Sequence, residues 1–135
     1  MQYWLIKSEP STYSWDDLVK LKTDSWTGVR NFAARLHLRA MQKGDLCLFY
    51  HSGNESAVVG IAKIVKAHYP DPTATEGDWS TVDVQAVKKL KNAVPLKDIK
   101  KVKSLQSMPL VRISRLSVSP VSASEFDTIL QMSEK

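Results

Sequence analysis

Gly44-Asp45-Leu46-Cys47-Leu48-Phe49-Tyr50-His51-Ser52-Gly53-Asn54 reads as a turn, an unbroken apolar run and a second turn. A run of this length, bounded by turn residues, predicts a strand at Leu46–Tyr50 buried on both faces. The next apolar stretch, Ala57 to Ala67, follows after a short polar link. Strands joined so closely pair antiparallel. Gly60 inside the second strand marks a bulge or a close backbone approach. Tyr69-Pro70-Asp71-Pro72 ends that strand, and Thr73 to Asp78 is a polar loop. Trp79 to Val87 is a third strand, with Val82, Val84 and Ala86 on one face and Thr81, Asp83 and Gln85 on the other.

Outward from this centre the signals are mixed. Tyr3-Trp4-Leu5-Ile6 is a short aromatic strand closed by Pro10. Ser14, followed by Asp16 and Asp17, caps a helix over Trp15–Leu21. Trp26-Thr27-Gly28-Val29-Arg30 is a loop, and Asn31 caps a helix over Phe32–Met41 whose apolar face is expected at Phe32, Ala33, Leu36 and Ala40. Lys88 to Lys103 is lysine-dense, with a short helix starting at Pro95 and a helical turn around Leu105–Met108. A short strand is expected at Arg115–Val118. Ser122-Ala123-Ser124-Glu125 is a capping box for a last helix carrying Phe126, Ile129 and Leu130. The reading is one α+β domain over residues 1–135, with a curved, mainly antiparallel sheet. Its strand count suits closure into a small barrel with short helices around it.

At 135 residues, with 43% hydrophobic and 24% charged, the chain can bury a core without staples. Its net charge of +5 and pI near 9.4 favour polyanions mildly. The single cysteine, Cys47, excludes an internal disulfide and a multi-thiolate zinc site. No apolar run nears the roughly 18 residues of a membrane helix. The amino terminus lacks the pattern of a signal peptide. The expectation is therefore a cytoplasmic protein, nuclear if the source is eukaryotic. It is expected to act as a monomer, with no metal, cofactor or membrane partner.

Catalytic motifs are missing: no G-x-S-x-G, phosphate loop, H-E-x-x-H or dinucleotide fingerprint occurs. Cys47 and His51 lie four residues apart on a strand, over 10 Å at about 3.3 Å per residue, so Cys47 reads as a small buried hydrophobe. Four segments look unlike ordinary core. Lys7-Ser8-Glu9-Pro10 is a charged strand end. Trp26 to Asn31, including Val29 and Arg30 and followed by Arg35, combines an aromatic face with paired hydrogen-bonding groups. Tyr50-His51-Ser52 puts polar tips on an apolar strand. Ser114-Arg115-Leu116-Ser117 puts an arginine in a strand, where burial would require a partner such as Glu9 or Asp83. Seven lysines between Lys88 and Lys103, opposed only by Asp98, could follow a phosphate backbone or simply face water.

Taken in order, these segments resemble the EVE domain family. The likeness runs through Tyr3 to Pro10, Trp26 to Asn31, Ala34-Arg35 and Gly44-Asp45 to Ser52. It continues through Val59-Gly60-Ile61-Ala62, Tyr69 to Pro72, Trp79 with Val82-Asp83-Val84, and Ser114 to Val118 with Pro120-Val121. It implies a PUA-like fold, kinship with YTH and ASCH domains, and a reader of modified bases, above all modified cytosines. The chain departs from the pattern at Phe32, where members often carry Tyr.

The expected function is binding of a nucleic acid, DNA or RNA, whose modified base enters an aromatic pocket after flipping. Trp26 and Tyr50 are its expected walls. Asn31, Ser8 and Ser52 are expected to read polar edges, and Lys7, Arg30, Arg35 and Arg115 to meet phosphates or fix the pocket. Two alternatives stand beside it. One is a hydrolase of modified nucleosides using Lys7 and Glu9, which would share a face if both lay on a strand. The other is a protein-interaction module.

Overall fold

The computed structural model describes residues 1–135. Six strands form one sheet: β1 (Tyr3–Ser8), β2 (Thr23–Ser25), β3 (Leu46–His51), β4 (Ala57–Pro70), β5 (Ser80–Pro95) and β6 (Val118–Val121). Their order across the sheet is β2-β5-β4-β3-β1-β6. Every pairing is antiparallel except β1–β3, which is parallel with Tyr3 opposite Leu46 and Ser8 opposite His51. β2 and β6 remain as edges, so the curved sheet is not sealed into a hydrogen-bonded barrel. Register shifts along β4 bend it; one falls where Gly60 lies against the Trp15 ring.

The helices are α1 (Trp15–Leu21), α2 (Phe32–Ala40), α3 (Leu96–Ile99), α4 (Pro109–Arg112) and α5 (Ala123–Ser133). The cap signals behave as their chemistry requires. Ser14 and Asp17 form a capping box on α1, Asn31 accepts from the Ala34 N–H on α2, and Ser122 and Glu125 box α5. Apolar side chains fill both sides of the sheet. Trp4, Ile6, Cys47 and Phe49 pack on one side with Trp15, Leu18, Ala34 and Leu38 from α1 and α2. Leu5, Leu48 and Tyr50 pack on the other with Leu110, Phe126 and Ile129 from α4 and α5. This two-sided burial explains why β3 reads as a continuous apolar run.

Several expectations are corrected. β5 continues through the lysines to Pro95, because Leu90 and Val94 are buried while Lys88, Lys89 and Lys91 face water. The charge density concealed a strand buried on one side only. β4 reaches Pro70, which is tolerated at a strand end opposite Ser80. The helical turn expected at Leu105–Met108 resolves into a 3-10 turn at Lys103–Leu105 and α4. The last strand begins at Val118; Ser114 and Arg115 form an exposed turn before it. The buried side of α2 is Ala34 and Leu38, so Phe32, Ala33, Leu36 and Ala40 are exposed.

Candidate nucleic-acid interface

The carboxyl end of β1 and the loop following β2 meet at a hollow of about 540 Å³. Lys7, Ser8 and Glu9 line it from β1 and its exit, and Trp26 through Asn31 from the loop. Tyr13, Asp24, Ser25 and Ser117 complete much of the remaining wall. The volume lies in the range of small-ligand sites.

The loop is held rather than free. The Trp26 N–H donates to the Val82 carbonyl at 2.8 Å, continuing the ladder between β2 and β5. Gly28, at φ 87°, turns the chain back. Its N–H donates to the Asp71 carboxylate at 2.9 Å. Arg30 pairs with the same carboxylate at 2.9 Å, and Thr73 donates to Asp71 through both N–H and hydroxyl. Burial alone would raise the Asp71 carboxyl. The hydrogen bonds from Thr73, Gly28 and Arg30 outweigh it and hold the group well below the usual carboxylate range. Asp71 therefore ties the site loop to the β4–β5 connection.

Trp26 is 8% exposed and packs edge-on with Tyr13 and Phe49, at centroid separations of 5.9 and 5.5 Å. It joins the core and forms part of the hollow's floor. Tyr13, partly buried, donates its hydroxyl to Asp24 at 2.8 Å. Burial and the Asp24 hydrogen bond push its ionisation up, so it keeps its proton. Asn31 spends its carbonyl oxygen on the α2 cap, which leaves its amide NH2 as the group to face a ligand. The Ser8 hydroxyl donates to the Tyr13 carbonyl, tying the two walls together.

The remaining predicted residues divide. Tyr50 is 3% exposed and lies on the sheet side opposite Trp26, so the two rings do not face each other across one hollow. His51 and Ser52 line a second hollow of about 980 Å³ with Pro10, Lys97 and Lys100, and Glu9 borders both. His51 Nε2 accepts the Trp15 N–H at 2.9 Å and so helps start α1. The Lys7 ammonium donates to the Ser114 carbonyl at 3.0 Å and sits 5.8 Å from the Tyr50 ring centroid. Burial lowers its pKa. β1 stops at Ser8, so Glu9 leaves the strand and accepts from the Ser11 hydroxyl; the expected alternation with Lys7 is not made. Arg115 is exposed and needs no buried partner; Asp83 instead accepts from the Tyr69 hydroxyl at 2.6 Å. Arg35 donates to the Asp78 carbonyl at 2.7 Å.

Tyr13, Asp24 and Ser25 escaped the sequence reading, whereas Ser117 is the last residue of the segment Ser114–Ser117 that it singled out. Asp24-Ser25 sits in a three-residue strand, too short to show a period.

A curved, open α+β sheet with a polar hollow at its strand ends is a PUA-like domain. The EVE domain model matches residues 2–132, and the chain belongs to that family. It is 39% identical to mouse thymocyte nuclear protein 1 over 98% of this chain and 74% of that protein. It superposes at a TM-score of 0.92, with 36% identity, on human THYN1 protein in complex with 5-methylcytosine containing DNA, covering 100% of this chain and 99% of that one. The YTH domain of Zygosaccharomyces rouxii MRB1, in complex with N6-methyladenosine RNA, matches at a TM-score of 0.61 and 15% identity over 98% of this chain and 86% of that chain. That likeness is one of fold.

Proposed function

We propose that this protein reads a modified base, first of all a modified cytosine, in DNA or RNA by taking it into the hollow between Lys7–Glu9 and Trp26–Asn31. The observation that carries this reading is the meeting of those two segments, with Trp26 and Tyr13 beside polar groups of both kinds. The Asp24 and Glu9 carboxylates suit the exocyclic amino group of cytosine, which donates to acids. The Asn31 amide and the Ser25 and Thr27 hydroxyls suit its carbonyl and ring nitrogen. Support also comes from the DNA bound by human THYN1 protein, 36% identical over the whole chain.

A duplex base reaches such a hollow only by flipping, at a cost of a few kcal/mol. Contact with aromatic walls returns about 1–3 kcal/mol per stacked base. A buried methyl mark adds on the order of 0.8 kcal/mol, so strong discrimination requires a hydrogen bond that responds to the mark. The α2 amino terminus has no acidic residue in its first turn and favours a nearby phosphate. The Lys7 amine donates to the Ser114 carbonyl and Glu9 has left the strand, so the strand alternation on which the nucleoside-hydrolase alternative was built is not made.

The test is binding to matched oligonucleotides that differ in one base modification, at two salt concentrations. Preference for a marked cytosine, retained at higher salt while total affinity falls, is the expected result. Equal affinity for marked and unmarked oligonucleotides at both concentrations contradicts the proposal.

A further inference from the structure

Beside the hollow lies an aromatic surface that its lining does not include. Phe32, the first residue of α2, is 68% exposed, although it immediately follows Asn31 in the wall. Its ring stacks on Trp79 at 5.3 Å between centroids and 23° between planes. The Arg35 guanidinium stands 4.9 Å from the Phe32 centroid and 5.2 Å from that of Trp79. The guanidinium of Arg30, a residue that lines the hollow, stands 5.7 Å from the Trp79 centroid.

This arrangement is pre-organised. Gly77 adopts φ 86°, and a Cβ there would come within 2.7 Å of the Trp79 indole nitrogen, so the glycine is what lets the ring lie where it does. Arg35 is anchored on the Asp78 carbonyl, yet it has no carboxylate partner, and its buried Nε has no hydrogen-bond acceptor. Arg39 takes the Asp78 carboxylate at 2.9 Å and so leaves the Arg35 charge uncompensated. A bare aromatic ring beside an unneutralised guanidinium matches a nucleobase with its phosphate: the ring meets the base's π-face and the cation meets the anion.

We propose that Phe32, backed by Trp79 and Arg35, is a second base contact, on which the nucleotide adjoining the marked one stacks. The proposal rests on the nucleic-acid part of the preceding reading and is independent of which mark is read. Consecutive Cα atoms are about 3.8 Å apart. The step from Asn31 to Phe32 therefore brings the ring within reach of the neighbouring nucleotide when the marked base occupies the hollow.

The probes are a marked oligonucleotide and its unmarked twin, each with 2-aminopurine next to the test base. Phe32→Ala, an exposed change that leaves the core untouched, is expected to weaken both complexes by about 5- to 150-fold, the range of one lost base stack. The ratio between marked and unmarked should stay that of the parent protein, and the fluorescence change of the neighbouring base should disappear. Gly77→Ala, which displaces the Trp79 ring, should weaken both complexes in the same direction. Unchanged affinity in Phe32→Ala overturns the proposal. So does a collapse of the ratio alone, which would make the ring part of the mark-reading site. A parent protein that shows no preference for the mark, while Phe32→Ala still weakens both complexes, ends the modified-base reading and leaves the stacking contact standing.

Discussion

Asn31 does two jobs with one amide. Its oxygen caps α2, which leaves its NH2 for a ligand in the hollow that Asn31 lines, so the jobs can be separated by substitution. Serine caps about as well as asparagine. Asn31→Ser should therefore keep the urea midpoint within what about 0.5 kcal/mol would shift, while affinity for the marked oligonucleotide drops about ten-fold, the value of one lost hydrogen bond to a ligand. Trp26→Ala behaves differently. The side chain is core as well as floor, and its loss should cost about 3–5 kcal/mol in urea denaturation, so lost binding in that variant would report folding and the site together. His51 is a structural residue that titrates. Burial lowers its pKa, partly opposed by Asp16, and its Nε2 must stay unprotonated to accept from Trp15. A basic group depressed in the fold contributes fully above its unfolded value, about 6.5, and the contribution is lost as pH falls below that. The melting temperature should be flat from pH 8 to 7 and fall between 6.5 and 5. His51→Gln, which cannot titrate, should show a shallower fall; an unchanged profile would remove His51 from the account.

At the scale of elements, Gly60 links the sheet to α1. A Cβ at this position would stand 2.6 Å from the Trp15 ring, which itself packs edge-on to Phe49 at 5.3 Å. Gly60→Ala should destabilise by about 1–3 kcal/mol through overpacking, read as a lower urea midpoint with an unchanged slope. What was legible in the sequence follows from how local each signal is. The boxes at Ser14 and Ser122 and the cap at Asn31 are chemistry within four residues, and all three formed. The buried strand at Leu46–His51 declared itself because both of its faces are covered. The lysine-rich half of β5 did not, because one face is solvent and its apolar residues, Leu90 and Val94, are spaced by four. The apolar face of α2 was misread because the helix carries apolar residues on two sides, and only contact with the sheet selects Ala34 and Leu38.

At the scale of the molecule, the candidate site was half legible. Trp26–Asn31 and Lys7–Glu9 do converge, but Tyr50 falls on the far side of the sheet and His51–Ser52 open onto another hollow. Strand alternation decides this: Phe49 points toward Trp26, and its neighbour Tyr50 must therefore point away. Charge is distributed with similar asymmetry. The seven lysines from Lys88 to Lys103 are all exposed, and Lys97 and Lys100 border the second hollow. That gives two candidate surfaces for one polyanion, which a single measurement separates. Backbone amide shifts of the labelled protein, titrated with an oligonucleotide containing 5-methylcytosine and then with its unmodified twin, bear directly on the base-reading claim. Shifts at Ser25, Gly28 and Asn31 that are larger for the marked oligonucleotide are predicted. Shifts confined to Gly53, Lys97 and Lys100, equal for both oligonucleotides, would show that the hollow between Lys7–Glu9 and Trp26–Asn31 holds no base.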